Sequence, residues 1–176
     1  MASAPPLNAM DPYFICSPPV PYASELPHSL EPGMAIVVKG CVLEKADSSR
    51  FNVDLCCGLL VSGNHRDNKA LHFNPRFDVA TSWFSGKPDR QIVINSLINN
   101  VWGNEERYGN VLKEGSPFHL RILVLKDYFK IAIDGRHLCD YLFKVPLSDI
   151  RTIFISGCVS IDFIHFQVDD GRPVLD

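Results

Sequence analysis

The segment ALHFNPRF, residues 70–77, sets His72, Asn74 and Arg76 at alternate positions. Alternate residues of an extended strand share one face. An imidazole, an amide and a guanidinium therefore stand in a row, about 6–7 Å apart at each step, while Phe73 points to the other side. Two further clusters are polar within apolar surroundings. Asn95 ends the run Val93-Ile94-Asn95, and Trp102, Glu105 and Arg107 fall within WGNEER. Amides, carboxylates and guanidinium groups fixed in direction suit a ligand whose hydroxyls both donate and accept. A sugar is such a ligand, and it also has a C–H face that a flat indole can cover. The axial 4-hydroxyl of galactose leaves an apolar C–H patch of that kind. An arginine beside a carboxylate is held by paired hydrogen bonds, so its remaining donors point predictably. Taken singly, each of these residues has a plainer reading. A lone strand histidine is usually packed or solvated, Trp102 alone reads as core, and Glu105-Glu106-Arg107 alone reads as a solvated turn.

The elements that must carry these residues are strands. MAIVVKGCVL from Met34, RFNVDLCC from Arg50, ALHFNPRF from Ala70, QIVINSL from Gln91, FHLRILVL from Phe118, YFKIAI from Tyr128, TIFISG from Thr152 and SIDFIHFQV from Ser160 are short and rich in β-branched or aromatic residues. Several alternate apolar and polar residues. Glu31-Pro32-Gly33, Ser62-Gly63, Gly86-Lys87-Pro88 and Asp134-Gly135 supply turn chemistry between them. Apolar spacing of three and four never persists long enough for a helix. Many short strands at even spacing predict an all-β antiparallel sandwich or barrel.

The chain has 176 residues, 46% of them hydrophobic, and a net charge of −3. One domain with a full core is the expectation at that length. The charge and the scattered basic residues offer nothing to nucleic acid or an acidic membrane. Residues 1–20 are proline-rich and are expected to form an extended tail, residues 21–168 the folded body, and residues 169–176 a tail or the start of a linker. The beginning of the chain has no basic n-region and its apolar stretch is broken by prolines, so it does not read as a signal peptide. Six cysteines occur, without CxxC spacing and without a histidine at finger spacing. Free, mostly buried thiols are expected, and no zinc site or other cofactor. Cys56 and Cys57 should face opposite ways on a strand.

Taken together, HFNPRF, VIN and WGNEER resemble the carbohydrate-recognition signature of the galectins, His-x-Asn-x-Arg, Val-x-Asn and Trp-x-x-Glu-x-Arg. Every position matches, and the step from Asn95 to Trp102 is also like the family's. PYASELPHSLEPGMAIVVKGCV, RFNVDL, LKDYFKIAIDGRHLCDY and KVPLSDIRTIFISGCVSIDFIHF resemble flanking strands of the same family. The likeness runs from about Pro21 to Val168. It implies a jelly-roll β-sandwich of two antiparallel sheets, of galectin and legume-lectin type, that binds β-galactosides such as lactose or N-acetyllactosamine without a metal. His72, Asn74 and Arg76 would read the axial 4-hydroxyl. Asn95 and Glu105 would hold the 6-hydroxyl, Trp102 would stack on the C–H face, and Arg76, Glu105 and Arg107 would reach the second sugar. Glycoproteins and glycolipids bearing β-galactosides would be the partners, with a homodimer or a tandem partner domain supplying a second site. Galectins are similar in living in the cytosol and leaving by an unconventional route.

Two rivals are weighed against this reading. A galectin-like module that binds protein instead of sugar would be free to lose part of the motif, which is complete here. A glycosidase needs two carboxylates about 5–10 Å apart across a cleft. Glu105 and Glu106 are adjacent, and on a strand they face opposite ways, so no enzyme is expected. One departure stands out. The connection between Arg76 and Asn95 is longer than the family's usual one and carries Trp83-Phe84. Residues 78–90 are expected to form a wall of the groove that meets longer glycans.

Overall fold

The protein is described from a computed structural model, which covers residues 12–44, 46–79 and 86–168. Phe118, Leu120, Ile122 and Val124 alternate with half-exposed or exposed residues along Pro117–Val124, and every second side chain is buried. Alternating burial recurs along Tyr128–Ile133 and Val159–Gln167, and with the more fully buried strands these faces close one core between two sheets. One sheet has the order β1 (Phe14–Cys16), β13 (Val159–Gln167), β3 (Ala35–Val42), β9 (Pro117–Val124), β10 (Tyr128–Ile133), β11 (Arg136–Leu142). The other has the order β2 (Tyr22–Glu25), β12 (Thr152–Gly157), β4 (Phe51–Cys56), β5 (Lys69–Pro75), β6 (Gln91–Ile98), β7 (Val101–Trp102), with β8 (Glu106–Gly109) also paired to β6. All pairings are antiparallel. This is the antiparallel sandwich expected from the strand pattern, in the jelly-roll form that the resemblance implies. A single 3₁₀ turn among the described residues, Leu147–Asp149, joins β11 to β12.

Every strand read from the sequence is present. Four of those not read from alternation are very short: β1, β2, β7 and β8 have two to four residues each, too few to show a period. β1 lies inside the stretch read as an N-terminal tail, and there Phe14, Ile15 and Cys16 pair with β13. Phe14 stacks on Phe163 with ring centroids 5.0 Å apart.

Phe51, at the start of β4, stacks on Phe118 across the core at 5.5 Å and packs against Phe73 at 6.3 Å. Phe73 is therefore core, as its place between His72 and Asn74 requires. β6, like β5 beside it, is buried on both faces. Ile92 and Ile94 join the core cluster, while Val93, Asn95 and Leu97 are buried on the outer face. All six cysteines are free thiols; Cys56, Cys139 and Cys158 are buried, Cys41 and Cys57 half-buried, and Cys16 exposed. Burial pushes the Cys56 thiol up to about 12 and the Cys139 thiol to about 11, which makes both poor nucleophiles.

Candidate functional site

β5 and β6 lie side by side with His72 opposite Asn95 and Asn74 opposite Val93. β8 adds Arg107 opposite Val93, and β7 adds Trp102 opposite Leu97. These four strands bring the seven candidate residues to one outer face. His72, Arg76, Val93, Asn95, Trp102, Gly103 and Glu105 line a cleft of about 320 Å³ there. The indole of Trp102 is 39% exposed and leans over His72, ring centroids 4.8 Å apart. A large aromatic ring held in water at the rim of a polar cleft is placed to serve as a stacking platform.

The polar groups are fixed by bonds to one another. Asn74 donates Nδ2–H to the Phe51 carbonyl at 2.7 Å and accepts from Arg76 Nε at 2.9 Å. Asn95 donates to the Gly103 carbonyl at 3.0 Å and accepts the Ser96 amide at 2.8 Å. Both amides are buried, so their remaining atoms are held in fixed directions. His72 Nδ1 sits 2.6 Å from an oxygen of the fully buried Asp54, and a carboxylate can only accept, so Nδ1 carries the proton. Arg76 donates to Asp89 at 2.7 Å and to Glu105 at 3.0 Å. Arg107 donates to Asp89 at 3.0 Å and also to Glu105. Two guanidinium groups and two carboxylates thereby form a closed, charge-balanced ring.

Burial pushes the Asp89 carboxyl up, but the hydrogen bonds from Arg76 and Arg107 outweigh it and hold the group below its ordinary 3.8. Glu105 follows the same balance, burial against the bonds from Arg107 and Arg76, and lies below its ordinary 4.5. Glu106 points away from the cleft and accepts from the Tyr108 hydroxyl at 2.8 Å, as the alternation at Glu105-Glu106 requires. No glycosidase pair forms there.

Three residues of the site were not read from the sequence: Asp54, Lys69 and Asp89. Asp54 had a visible signal. It stands between Val53 and Leu55 on a strand, where an aspartate is disfavoured unless it is paired. Asp89 sits in the long connection before β6, where nothing in its neighbours marks it. Of that connection, Trp83 and Phe84 lie outside the described residues. Its described end carries Asp89 to the cleft, and Arg50 pairs with Asp78 at its start. Among the described residues, no group of three or more His, Cys, Asp or Glu side chains could hold a metal ion.

The sequence pattern of the galactoside-binding lectins matches residues 21–166. The chain is a galectin. It is 36% identical over 149 residues to a 32 kDa beta-galactoside-binding lectin of Caenorhabditis elegans, a match that covers 84% of this chain and 48% of that protein. It is 32% identical to human Galectin-7, over 83% of this chain and 96% of that one. In fold it is similar to the crystal structure of the C. elegans galectin LEC-6, with a TM-score of 0.72 at 21% identity, covering 89% of this chain and 96% of that one. The chain thus spans about half the length of the nematode relative it matches and nearly the whole length of the human one. Galectins are non-catalytic lectins, and this galectin shares their two-sheet sandwich.

Proposed function

We propose that this galectin binds β-galactoside glycans of the lactose and N-acetyllactosamine type at the cleft between His72 and Arg107, with no metal ion in the site. The observation that carries the reading is the closed ring of Arg76, Arg107, Asp89 and Glu105 beside the exposed Trp102. To the described residues Arg76 gives three of its five N–H groups, and the second N–H of each terminal nitrogen can serve a ligand. Together with Nε2 of His72, these atoms offer donors and an acceptor to an axial hydroxyl. With the C–H face on Trp102, Asn95 and Glu105 would hold the 6-hydroxyl, and Arg107 would reach toward a second sugar. β-Galactoside-bearing glycoproteins and glycolipids are the partners this implies. Residence in the cytosol with unconventional export belongs to the same reading and rests on family likeness.

Replacing the indole tests the assignment. Base stacking on an aromatic side chain is worth ~1–3 kcal/mol, and a sugar face is taken to be similar. Trp102→Ala should weaken lactose binding roughly ten- to a hundredfold, at 1.4 kcal/mol per decade, with the melting curve little changed because the ring is partly in water. Unchanged lactose affinity in a folded Trp102→Ala protein contradicts the assignment.

A further inference from the structure

Beneath the cleft, on the same outer face, lies a buried ion pair that the binding reading does not use. Lys69, at the start of β5, is 4% exposed, and its ammonium bonds to Asp54, which is fully buried. The ammonium also lies over the Phe154 ring at 5.1 Å, which closes it from the β12 side. Asp54 thus receives Lys69 on one oxygen and His72 on the other.

The two donors do different things. A carboxylate and an imidazole alone in a dry site reach charge balance when the ring takes a second proton, and the outer nitrogen then becomes a donor. Here the ammonium already balances the carboxylate. The ring needs only its Nδ1 proton, and Nε2 keeps a bare lone pair. That lone pair matters at this cleft. A bound hydroxyl has one proton to give, Arg76 can only donate, and the Asn74 and Glu105 oxygens are each already engaged by a guanidinium N–H. Nε2 of His72 is a cleft acceptor whose single lone pair no donor among the described residues takes.

We propose that Lys69 is a positioning residue for sugar recognition: by balancing Asp54 it keeps His72 in the Nδ1–H tautomer, with Nε2 free to accept the hydroxyl proton of the bound sugar. The proposal rests on the cleft being the galactoside site.

The test combines nitrogen NMR of the histidine rings, assigned by difference against His72→Gln, with lactose titrations. The wild type should show one protonated and one bare nitrogen at His72. Lys69→Met removes the counter-charge while keeping an unbranched chain in the same space. Its His72 ring should carry protons on both nitrogens, and lactose affinity should fall about tenfold. Lys69→Met with Asp54→Asn removes the buried charge altogether, and the introduced amide oxygen can still accept from Nδ1. That double variant should recover the bare Nε2 and most of the lost affinity. The proposal is overturned if Lys69→Met binds lactose like wild type, keeps a bare Nε2, or is not rescued by Asp54→Asn. If the single variant does not fold, the double variant decides alone, since it must show both the bare nitrogen and lactose binding. A wild type that binds no lactose, with ring spectra as expected, sinks the galactoside reading and leaves the control of His72 by Lys69 standing.

Discussion

Arg76 and Arg107 each bond to both Asp89 and Glu105, so no side chain of the ring can turn without breaking two bonds. Surface ion pairs taken one at a time contribute little, and networks with paired geometry contribute more. The value of this ring lies in direction, because it aims the spare N–H groups of Arg76 across the cleft. Asp89→Asn tests that. Both guanidinium groups donate to one Asp89 oxygen, so an asparagine can keep them on its amide oxygen only without the negative charge, and its NH₂ then faces the Gln91 amide that the other oxygen accepts at 3.3 Å. Losing one satisfied hydrogen bond is worth about 1 kcal/mol, so lactose affinity should fall roughly threefold to tenfold. Methyl β-galactoside, which lacks the second sugar, should lose less. Equal losses for both ligands would remove Arg107 from second-sugar contact. The ring also has a pH signature. Both carboxyls are held below their ordinary 3.8 and 4.5, so the stability they contribute is complete above those values and is lost as the pH falls through the lower, folded ones. The ring's contribution to lactose affinity should therefore stay level from neutral pH to about 5 and be lost only below about 4, together with its contribution to the melting temperature. A drop in affinity between about pH 7 and 5 would mean another group controls binding.

The element that places Trp102 is the turn between β6 and β7. Asn99 and Asn100 both have positive φ, 51° and 62°, which makes a two-residue hairpin whose twist suits the flanking strands. Asparagine tolerates that region better than most residues. The turn is tied to the β4–β5 connection, since Asn68 accepts the Asn99 amide at 2.8 Å and Asn100 donates to the Asn64 carbonyl at 2.6 Å. From the same connection, Arg66 lies over the Trp102 ring at 5.5 Å. Asn100→Gly should leave stability within a few tenths of a kcal/mol, whereas a β-branched Asn100→Val should cost about 1–2 kcal/mol and displace Trp102, weakening lactose severalfold. Urea unfolding and lactose titration of both variants check this, and a Val variant that matches the Gly variant would deny the turn its role. The long strands were legible because eight or nine residues leave a pattern, alternating in β9 and β13 and a β-branched apolar run at the start of β3. The Asn-Asn turn joins an eight-residue strand to a two-residue one, and β7 shows no alternation to mark its far side. The seven candidate side chains were legible by type and spacing. Asp54, Lys69 and Asp89, which orient them, act through contacts across strands that spacing along the chain does not show.

At the scale of the molecule, the two sheets bury a common core and leave the outer face of one of them to carry the cleft. One cleft of this kind on one chain cannot cross-link two glycans, because avidity needs linked sites. Self-association through a sheet edge or face, or a companion domain, would supply the second. Sedimentation at micromolar concentration and red-cell agglutination should therefore agree: cells agglutinate only if the protein is more than a monomer. A strict monomer that agglutinates cells would contradict the reasoning. The most direct measurement of the central claim is calorimetric titration of the protein with lactose and with mannose, both in chelator. Mannose has an equatorial 4-hydroxyl, which cannot reach His72 and Arg76 while its C–H face rests on Trp102. The account predicts saturable heat with lactose, unaffected by the chelator, and none with mannose. Equal binding of the two sugars, or loss of lactose binding on chelation, would contradict it.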